Sequence, residues 1–292
     1  TAVGTSSMSA TTTGASNAAF GTDSLAANTT GASNTALGAY SLDANTTASN
    51  NTAVGVHSLG ANTTGTDNTA VGESSGAAVT TGINNTLIGA ESGDAITDAD
   101  HNTAVGFRSL STNVLGSRSI AIGAGALFAQ NPASAADMYN VGIGYEAGVA
   151  VTTATRDTLI GGLAGDALTT GSYNVAVGYT SLGATTTGAS NVAVGDAALS
   201  SNTTAGSNTA VGAAALAANT TGSYSTAVGQ NALTAATTGG YNTAVGQGAL
   251  AATTTGATNV AVGVDALVTN TTASNNTAVG YIALKMNTTG AD

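Results

Sequence analysis

The sequence predicts an all-β chain that winds into a parallel β-solenoid of 17 coils, each 17 residues long. Three observations lead to this prediction: an apolar motif ending in glycine that recurs on a fixed period, columns of equivalent apolar residues, and an unusual composition. Charged residues make up 7% of the 292 residues, and hydrophobic residues make up 42%. Because the apolar residues are frequent and periodic, we do not expect low-complexity disorder.

The motif glycine recurs every 17 residues, except for the 21 residues between Gly123 and Gly144. The consensus coil reads Asn-Thr-Ala-Val-Gly-x-x-Ser/Ala-Leu-x-Ala-Asn-Thr-Thr-Gly-x-x. Its Thr-Ala-Val segment predicts one short strand, and Ser-Leu-x-Ala predicts a second. Asn and Gly are expected at the corners, where they adopt positive φ at little cost.

The whole chain, 1–292, is expected to form a single repeat domain with one four-residue insertion within 124–143. This insertion contains the only proline, Pro132. We expect it to bulge outward as a loop, because four extra residues inside a coil would break the columns. Since both termini fall within the motif, we expect the chain to be a fragment of a longer protein.

Two apolar columns are expected to meet inside the coil and form a continuous core once the coils stack. One lies immediately before the motif glycine, and the other lies four residues after it. Representative members are Val54, Val71, Ile88, Val105 and Ile122 in the first column and Leu42, Leu59 and Leu216 in the second. Glycine replaces the leucine at Gly76, Gly93, Gly148 and Gly165.

A third column, two residues before the motif glycine, is almost entirely alanine. It includes Ala53, Ala70, Ala104, Ala121, Ala176, Ala193 and Ala210. A position exposed to solvent would tolerate larger polar residues, so this column indicates close approach by another surface. That surface is either the interior of the same coil or another subunit around a symmetry axis, and we expect the subunit interface.

The segment Ser119-Ile120-Ala121-Ile122-Gly123 resembles the head repeat of trimeric autotransporter adhesins of the YadA type, and every coil carries a version of it. The resemblance implies a left-handed β-roll, a homotrimer, display at the cell surface, and attachment to host matrix, cells or abiotic surfaces. The period of that family is shorter, and this chain contains no stalk, neck or membrane anchor. Contact with a membrane is therefore expected only through an anchor outside this chain.

Two other functions stay open. Similar repeats occur in phage tail fibres and extracellular filaments, where the partner would be further copies of the chain on a virion or filament. Tandem threonines, such as Thr29-Thr30 and Thr46-Thr47, are also typical of ice-binding β-solenoids. Adjacent strand residues face opposite sides, however, so a turn or polar ladder explains these pairs as well.

Seven Asn-Thr-Thr sequons are possible glycosylation sites, although a stacked asparagine ladder is the alternative. They begin at Asn28, Asn45, Asn62, Asn202, Asn219, Asn270 and Asn287. Asp94, Asp98 and Asp100 form a weak candidate calcium site, because carboxylates are ligands that calcium prefers. No spacing matches a catalytic or cofactor motif, so we expect neither an enzyme nor a bound cofactor. Four basic residues in a chain of net charge −11 argue against nucleic-acid binding.

Overall fold

The computed structural model describes residues 1–290 as a parallel β-solenoid with a period of about 17 residues, which confirms the predicted fold class. The described residues contain no helix. The chain divides into two compact units, Thr1–Glu146 and Ala147–Asp292, which are described separately below.

The first unit contributes one short strand from each coil to a parallel sheet. Equivalent residues pair in register, so that Thr52, Ala53 and Val54 lie opposite Thr69, Ala70 and Val71. Its strands are β1 (Ala2–Val3), β2 (Ala18–Phe20), β3 (Thr35–Leu37), β4 (Thr52–Val54), β5 (Thr69–Val71), β6 (Thr86–Ile88), β7 (Thr103–Val105), β8 (Gly116–Ser117), β9 (Ile120–Ile122), β10 (Ala136–Asp137) and β11 (Val141–Ile143).

The second unit repeats this arrangement without interruption. Thr209, Ala210 and Val211 pair with the equivalent residues 17 positions later, Thr226, Ala227 and Val228. Its strands are β12 (Thr158–Ile160), β13 (Val175–Val177), β14 (Val192–Val194), β15 (Thr209–Val211), β16 (Thr226–Val228), β17 (Thr243–Val245), β18 (Val260–Val262) and β19 (Thr277–Val279).

The predicted second strand, Ser-Leu-x-Ala, is wrong, because this segment forms turns. In the coil after Gly38, Tyr40 and Leu42 have φ of 60° and 50°, which a strand cannot accommodate. The turns still stack through backbone hydrogen bonds, since the Leu42 N–H donates to the Ser58 carbonyl at 3.1 Å. The coil therefore has one strand and a long, hydrogen-bonded series of turns.

Two polar ladders run through the interior. Four residues before the motif glycine, Asn34 accepts a hydrogen bond from the Asn51 backbone N–H at 3.0 Å and donates to the Ala48 carbonyl at 2.8 Å. Seven residues after the glycine, Asn45 donates to Asn28 Oδ1 at 2.9 Å. Since each amide bonds to an adjacent coil, the ladders satisfy buried polar groups and hold the coils in register.

The insertion leaves the register of the sheet intact, but the predicted outward loop is right only in part, because Pro132 is buried. Residues 133–135 are exposed, and Val141–Ile143 pairs in register with Ile120–Ile122. Inside the coil, buried Gln130 takes the place of the ladder asparagine and accepts a hydrogen bond from Asn140 Nδ2 at 3.0 Å. The extra residues form β10, which pairs with β8.

Candidate functional site

Along each strand of the sheet, alternate side chains point out of the solenoid. We define the strand face as the residues one and three before each motif glycine. In Thr52–Val54, the central alanine is buried while the flanking Thr52 and Val54 are half-exposed. The strand face thus carries a threonine or valine column beside a valine or isoleucine column, with no charged residue in either.

The prediction that the Val/Ile column lies in the core is wrong. Val54, Val71 and Val105 are half-exposed, and Ile88 and Ile122 are each 38% exposed. Strand residues alternate between the two faces, so the alanine and its neighbours cannot all point inward. The leucine column is buried as expected, and Leu42, Leu59 and Leu216 are each 0% exposed.

The expected subunit interface through the alanine column is also wrong. All seven named alanines are fully buried within the single chain: Ala53, Ala70, Ala104, Ala121, Ala176, Ala193 and Ala210. The interior between strand and turns is narrow, and leucine side chains from the turns already occupy it. Only a methyl group fits on the strand side, which explains the near-constant alanine.

The Asn-Thr-Thr sequons belong mainly to the interior. Six of the seven asparagines are 0% exposed: Asn28, Asn45, Asn62, Asn202, Asn219 and Asn270. Their amides donate to backbone carbonyls three residues later, as Asn62 does to Gly65 at 3.0 Å. The prediction of glycosylation is therefore wrong for these six asparagines in the folded chain, because a glycan cannot attach to a buried amide. Asn287, in the last coil, is half-exposed and stays a prediction.

The three candidate calcium ligands are bound to separate partners. Asp94 accepts a hydrogen bond from Ser111 Oγ at 2.5 Å, and Asp98 accepts one from Thr81 Oγ1 at 2.7 Å. Asp100 accepts one from the Ile83 backbone N–H at 2.8 Å. Within residues 1–290, no group of three or more acidic, histidine or cysteine side chains is placed to hold a metal ion. Each of the three carboxylates instead accepts a hydrogen bond from a residue of a neighbouring coil.

The tandem threonines differ in role. Thr29 Oγ1 donates to the Thr46 carbonyl at 3.0 Å, and Thr46 Oγ1 repeats this bond to the Thr63 carbonyl. The first threonine of each pair therefore forms a polar ladder, whereas the second, such as Thr30, is exposed.

The strand face has two borders that the sequence analysis missed. The leading border is the residue five before each motif glycine, and the trailing border comprises the two residues after it. Every tyrosine, arginine and histidine of the chain lies on one of these borders: Tyr139, Tyr173, Tyr224, Tyr241, Arg118, Arg156 and His101 lead, and Tyr40, Tyr145, Tyr179, Tyr281, Arg108 and His57 trail. Sorting residues by coil position would have found them.

Border side chains interact from coil to coil. The rings of Tyr40 and His57 stack with centroids 5.0 Å apart, and those of Tyr224 and Tyr241 stack at the same distance. Arg108 Nε forms an ion pair with Glu91 at 2.6 Å. These are the side chains that can bind a partner through ring faces, hydroxyl groups and charge. The strand face between them offers methyl groups and threonine hydroxyls, and Phe20 is its one aromatic residue.

One acidic group lies inside the coil instead of on a border. Asp157 occupies a place in the asparagine ladder and accepts a hydrogen bond from the Asn174 backbone N–H at 2.7 Å. Burial raises the pKa of the Asp157 carboxyl to about 7, although that hydrogen bond acts in the opposite direction. The buried carboxyl is part of the core.

No family model, curated protein or solved structure matches the chain. Among residues 1–290, the structure has no helix of the length and hydropathy that crossing a membrane would require. The strand face and its two borders are therefore assigned on geometry and residue chemistry alone.

Proposed function

We propose that the chain is an extracellular structural and adhesive repeat domain, which attaches to host, cell or abiotic surfaces through multivalent contacts. The observation that carries this proposal is the concentration of tyrosine, arginine and histidine on the two borders of an uncharged, strictly repeated face. Tyrosine and arginine are enriched where proteins bind partners. Repetition along the coils multiplies contacts that are weak individually. The extracellular location follows from the resemblance alone.

The proposal includes a left-handed homotrimer in which the strand face, not the alanine column, is the contact between copies. A continuous row of half-exposed branched side chains supports it, since exposed apolar patches of this kind mark interaction sites. Exposed members include Leu37 at 47%, Ile88 at 38% and Val228 at 37%.

Sedimentation equilibrium tests the trimer. We expect a mass of about three times the 27.5 kDa of a single chain. In the variant Val194→Lys/Val211→Lys/Val228→Lys, three charges on successive coils of the strand face would have to be buried at the contact, so this variant should be monomeric. Its matched control is Thr204→Lys/Thr221→Lys/Thr238→Lys, which places the same charges on exposed threonines away from the strand face and should stay trimeric.

Adsorption of the same proteins to coated sensor surfaces tests the attachment. The trimer and the control should dissociate at least about 100-fold more slowly than the monomeric variant, because avidity depends on simultaneous contacts. Equal dissociation rates would overturn the multivalent proposal. A monomeric parent chain with thermal-hysteresis activity would favour ice binding, and large open-ended species would favour a filament or tail-fibre shaft.

A further inference from the structure

One coil of the first unit departs from the rest of the strand face at both of its positions. Three residues before the motif glycine, every coil has Thr, Val or Ile except one, which has Ala18. One residue before the glycine, every coil has Val, Ile or Leu except one, which has Phe20. Both exceptions lie on strand β2, Ala18–Phe20. The smallest and the largest side chain of the strand face are therefore in the same coil.

These two side chains form a notch and a knob in their columns. Ala18 lies beside Thr35 of the next coil, and Phe20 lies beside Leu37. Relative to threonine, alanine lacks a hydroxyl and a methyl group, so its column is indented at this coil. Phe20 is 40% exposed, so a large part of its ring is not covered by its own chain.

The notch and the knob do not fill each other within one chain. Alternate residues of a strand are roughly 6.5–7 Å apart, and their side chains leave the sheet side by side. Ala18 stays half-exposed beside the exposed Phe20, so the ring does not cover the alanine methyl group. A small and a large residue that occur together in this way are expected where the two positions meet between copies of the chain.

A cyclic trimer through the strand face brings these two positions together. A rotation that relates the copies involves no shift along the axis, so equivalent coils lie at the same height. The contact is heterologous, because the column three residues before the glycine on one copy faces the column one residue before it on the next copy. Phe20 of one copy therefore lies opposite Ala18 of the next.

The rest of the strand face does not define the height of one copy against another. Its side chains repeat from coil to coil, as in Thr52–Val54 and Thr69–Val71. A shift by one coil, roughly 4.8 Å, would preserve nearly every contact of this kind. Strand pairings without distinctive side chains are prone to slip in register. The same shift would move the Phe20 ring out of the notch and onto a threonine, and it would leave the notch empty.

We propose that Phe20 of one copy packs into the notch at Ala18 of the next copy, and that this pair sets the axial register of the homotrimer. The inference rests on the trimer proposed above and names the residues that specify its alignment. The branched columns supply the attraction between copies along the strand face. Phe20 and Ala18 select one of the alignments that the repeat allows, much as one distinctive residue fixes the register of a coiled coil.

Thiol cross-linking tests the register, because the chain contains no cysteine of its own. Chains with Thr69→Cys are co-expressed with chains that carry either Val71→Cys in the same coil or Val105→Cys two coils further along. The two sets carry tags of different length, so that only mixed dimers are counted after treatment with dibromobimane, a short bifunctional thiol reagent. We expect the same-coil pair to be linked at least about tenfold more, since two coils are roughly 10 Å apart.

The variant Ala18→Thr/Phe20→Val gives this coil the threonine and valine that other coils carry, so it should fold and still associate through the strand face. Its preference for the same-coil pair should fall from about tenfold to about one, because nothing then opposes slippage. The matched control, Ile120→Thr/Ile122→Val, makes the same kind of change in the coil of Gly123 and should keep the preference. Circular dichroism spectra and thermal unfolding like those of the parent would show that both variants are folded.

Exchanging the two residues separates a contact between copies from the effect of either side chain alone. Ala18→Phe places a ring on each side of the contact, so it should reduce the preference for the same-coil pair. Ala18→Phe/Phe20→Ala restores one ring and one notch in the opposite order, so it should recover the preference. Failure of the exchange to recover what Ala18→Phe loses would contradict the proposed packing.

Two further results would overturn this inference alone: a trimeric parent that links both cysteine pairs equally, or a preference that persists in Ala18→Thr/Phe20→Val. Sedimentation equilibrium of the parent distinguishes these results from failure of the proposed function. A monomeric parent would overturn the proposed trimer and this inference together, whereas a trimer of undefined register would leave the proposed trimer standing.

Discussion

Two stretches of the first unit fill the same interior in different ways. In the coils that begin at Gly38 and Gly55, leucine projects inward from the turn and asparagine forms the ladder three residues later. In the coils that begin at Gly72 and Gly89, glycine takes the leucine position, and Val79 or Ile96 replaces the asparagine. Leu87 replaces alanine on the strand between them, and its side chain is fully buried.

The comparison shows that the interior of the coil is filled with apolar side chains in both stretches, although different positions of the coil supply them. In the leucine stretch, Leu42 and Leu59 have φ of 50° and 49°, which is costly for a branched side chain. In the glycine stretch, Gly76 and Gly93 adopt the same conformation with little strain. The apolar volume then comes from Leu87 on the opposite side of the interior.

The boundary between the stretches breaks the polar ladder. Asn62 Nδ2 donates to Asn45 Oδ1 at 3.0 Å, but the next ladder position is Val79, which has no amide. Asn62 Oδ1 is consequently buried with no hydrogen-bond partner. Leaving such an acceptor unsatisfied costs about 1–3 kcal/mol, which is a local cost of changing from one packing to the other.

The largest expected effect comes from removing the replacement leucine. Leu87→Ala should lower the free energy of unfolding by about 5 kcal/mol, the upper end of the range for leucine truncation, because Gly76 and Gly93 cannot fill the cavity. Leu42→Ala, in the leucine stretch, should cost only about 2–3 kcal/mol, since stacked leucines lie above and below it. Denaturant unfolding of both variants measures the difference, and equal losses would contradict the comparison.

The coils that begin at Gly144 and Gly161 also have glycine at the leucine position, and Leu159 fills the interior between them. The asparagine ladder of this stretch contains Asp157, so its polar packing can be tested by pH. The folded-state pKa of Asp157, about 7, exceeds the unfolded value near 3.8, so the folded state favours the protonated carboxyl. The stability that protonation supplies is complete below about pH 4 and is lost as the pH rises to about 7. Above pH 7 the loss is at most about 4 kcal/mol, from 1.36 kcal/mol per pKa unit.

Asp157→Asn restores the ladder residue and removes this pH dependence. Relative to the parent chain, it should have no stability advantage at pH 4, a growing advantage from pH 4 to 7, and a constant one above. Thermal unfolding measured across pH 4–8 provides the test. A Tm difference that does not change over this range would show that the Asp157 pKa is close to its ordinary value. Asn174→Asp is the matched change at the next ladder position and should have the opposite sign at pH 8.

A smaller effect is expected from adding a methyl group at Gly93, and it measures the energetic coupling between this position and Leu87. A methyl group at Gly93 would lie 2.7 Å from Leu87 Cδ2 and 3.0 Å from Ile96 Cδ1, so Gly93→Ala should cost about 1–3 kcal/mol. Part of that cost should disappear in the Leu87→Ala background, where the space is empty. A double-mutant cycle measures the coupling. Purely additive losses would mean that backbone strain alone, and not the contact with Leu87, penalises alanine at Gly93.

The sequence showed where glycine replaces leucine, but it did not show how the interior is filled at those coils. The four glycine substitutions at Gly76, Gly93, Gly148 and Gly165 are visible as breaks in the leucine column. Each is followed three residues later by a buried aliphatic side chain, namely Val79, Ile96, Val151 and Leu168. Tracking both positions together would have predicted the exchange of packing, because the loss of one apolar side chain requires another.

The 17-residue period by itself determined the class of fold. A coil of this length is too short for helices, and no single coil can bury its apolar residues without neighbours, so stacked parallel strands follow. The identity of the leucine core, the tolerance of the insertion and the interior asparagine ladder could also be derived from the repeat. These features depend on equivalent residues lying above one another, which the period specifies.

Only the tertiary structure decided which face of the strand points inward. Ala53 and Val54 are adjacent and both apolar, so alternation gave two arrangements and hydrophobicity favoured the wrong one. The backbone settled the choice, since left-handed turns bring Leu42 and Leu59 close to the strand and leave space for a methyl group alone. The branched column is therefore on the outside, beside the tyrosines, where it is available for contact with a partner.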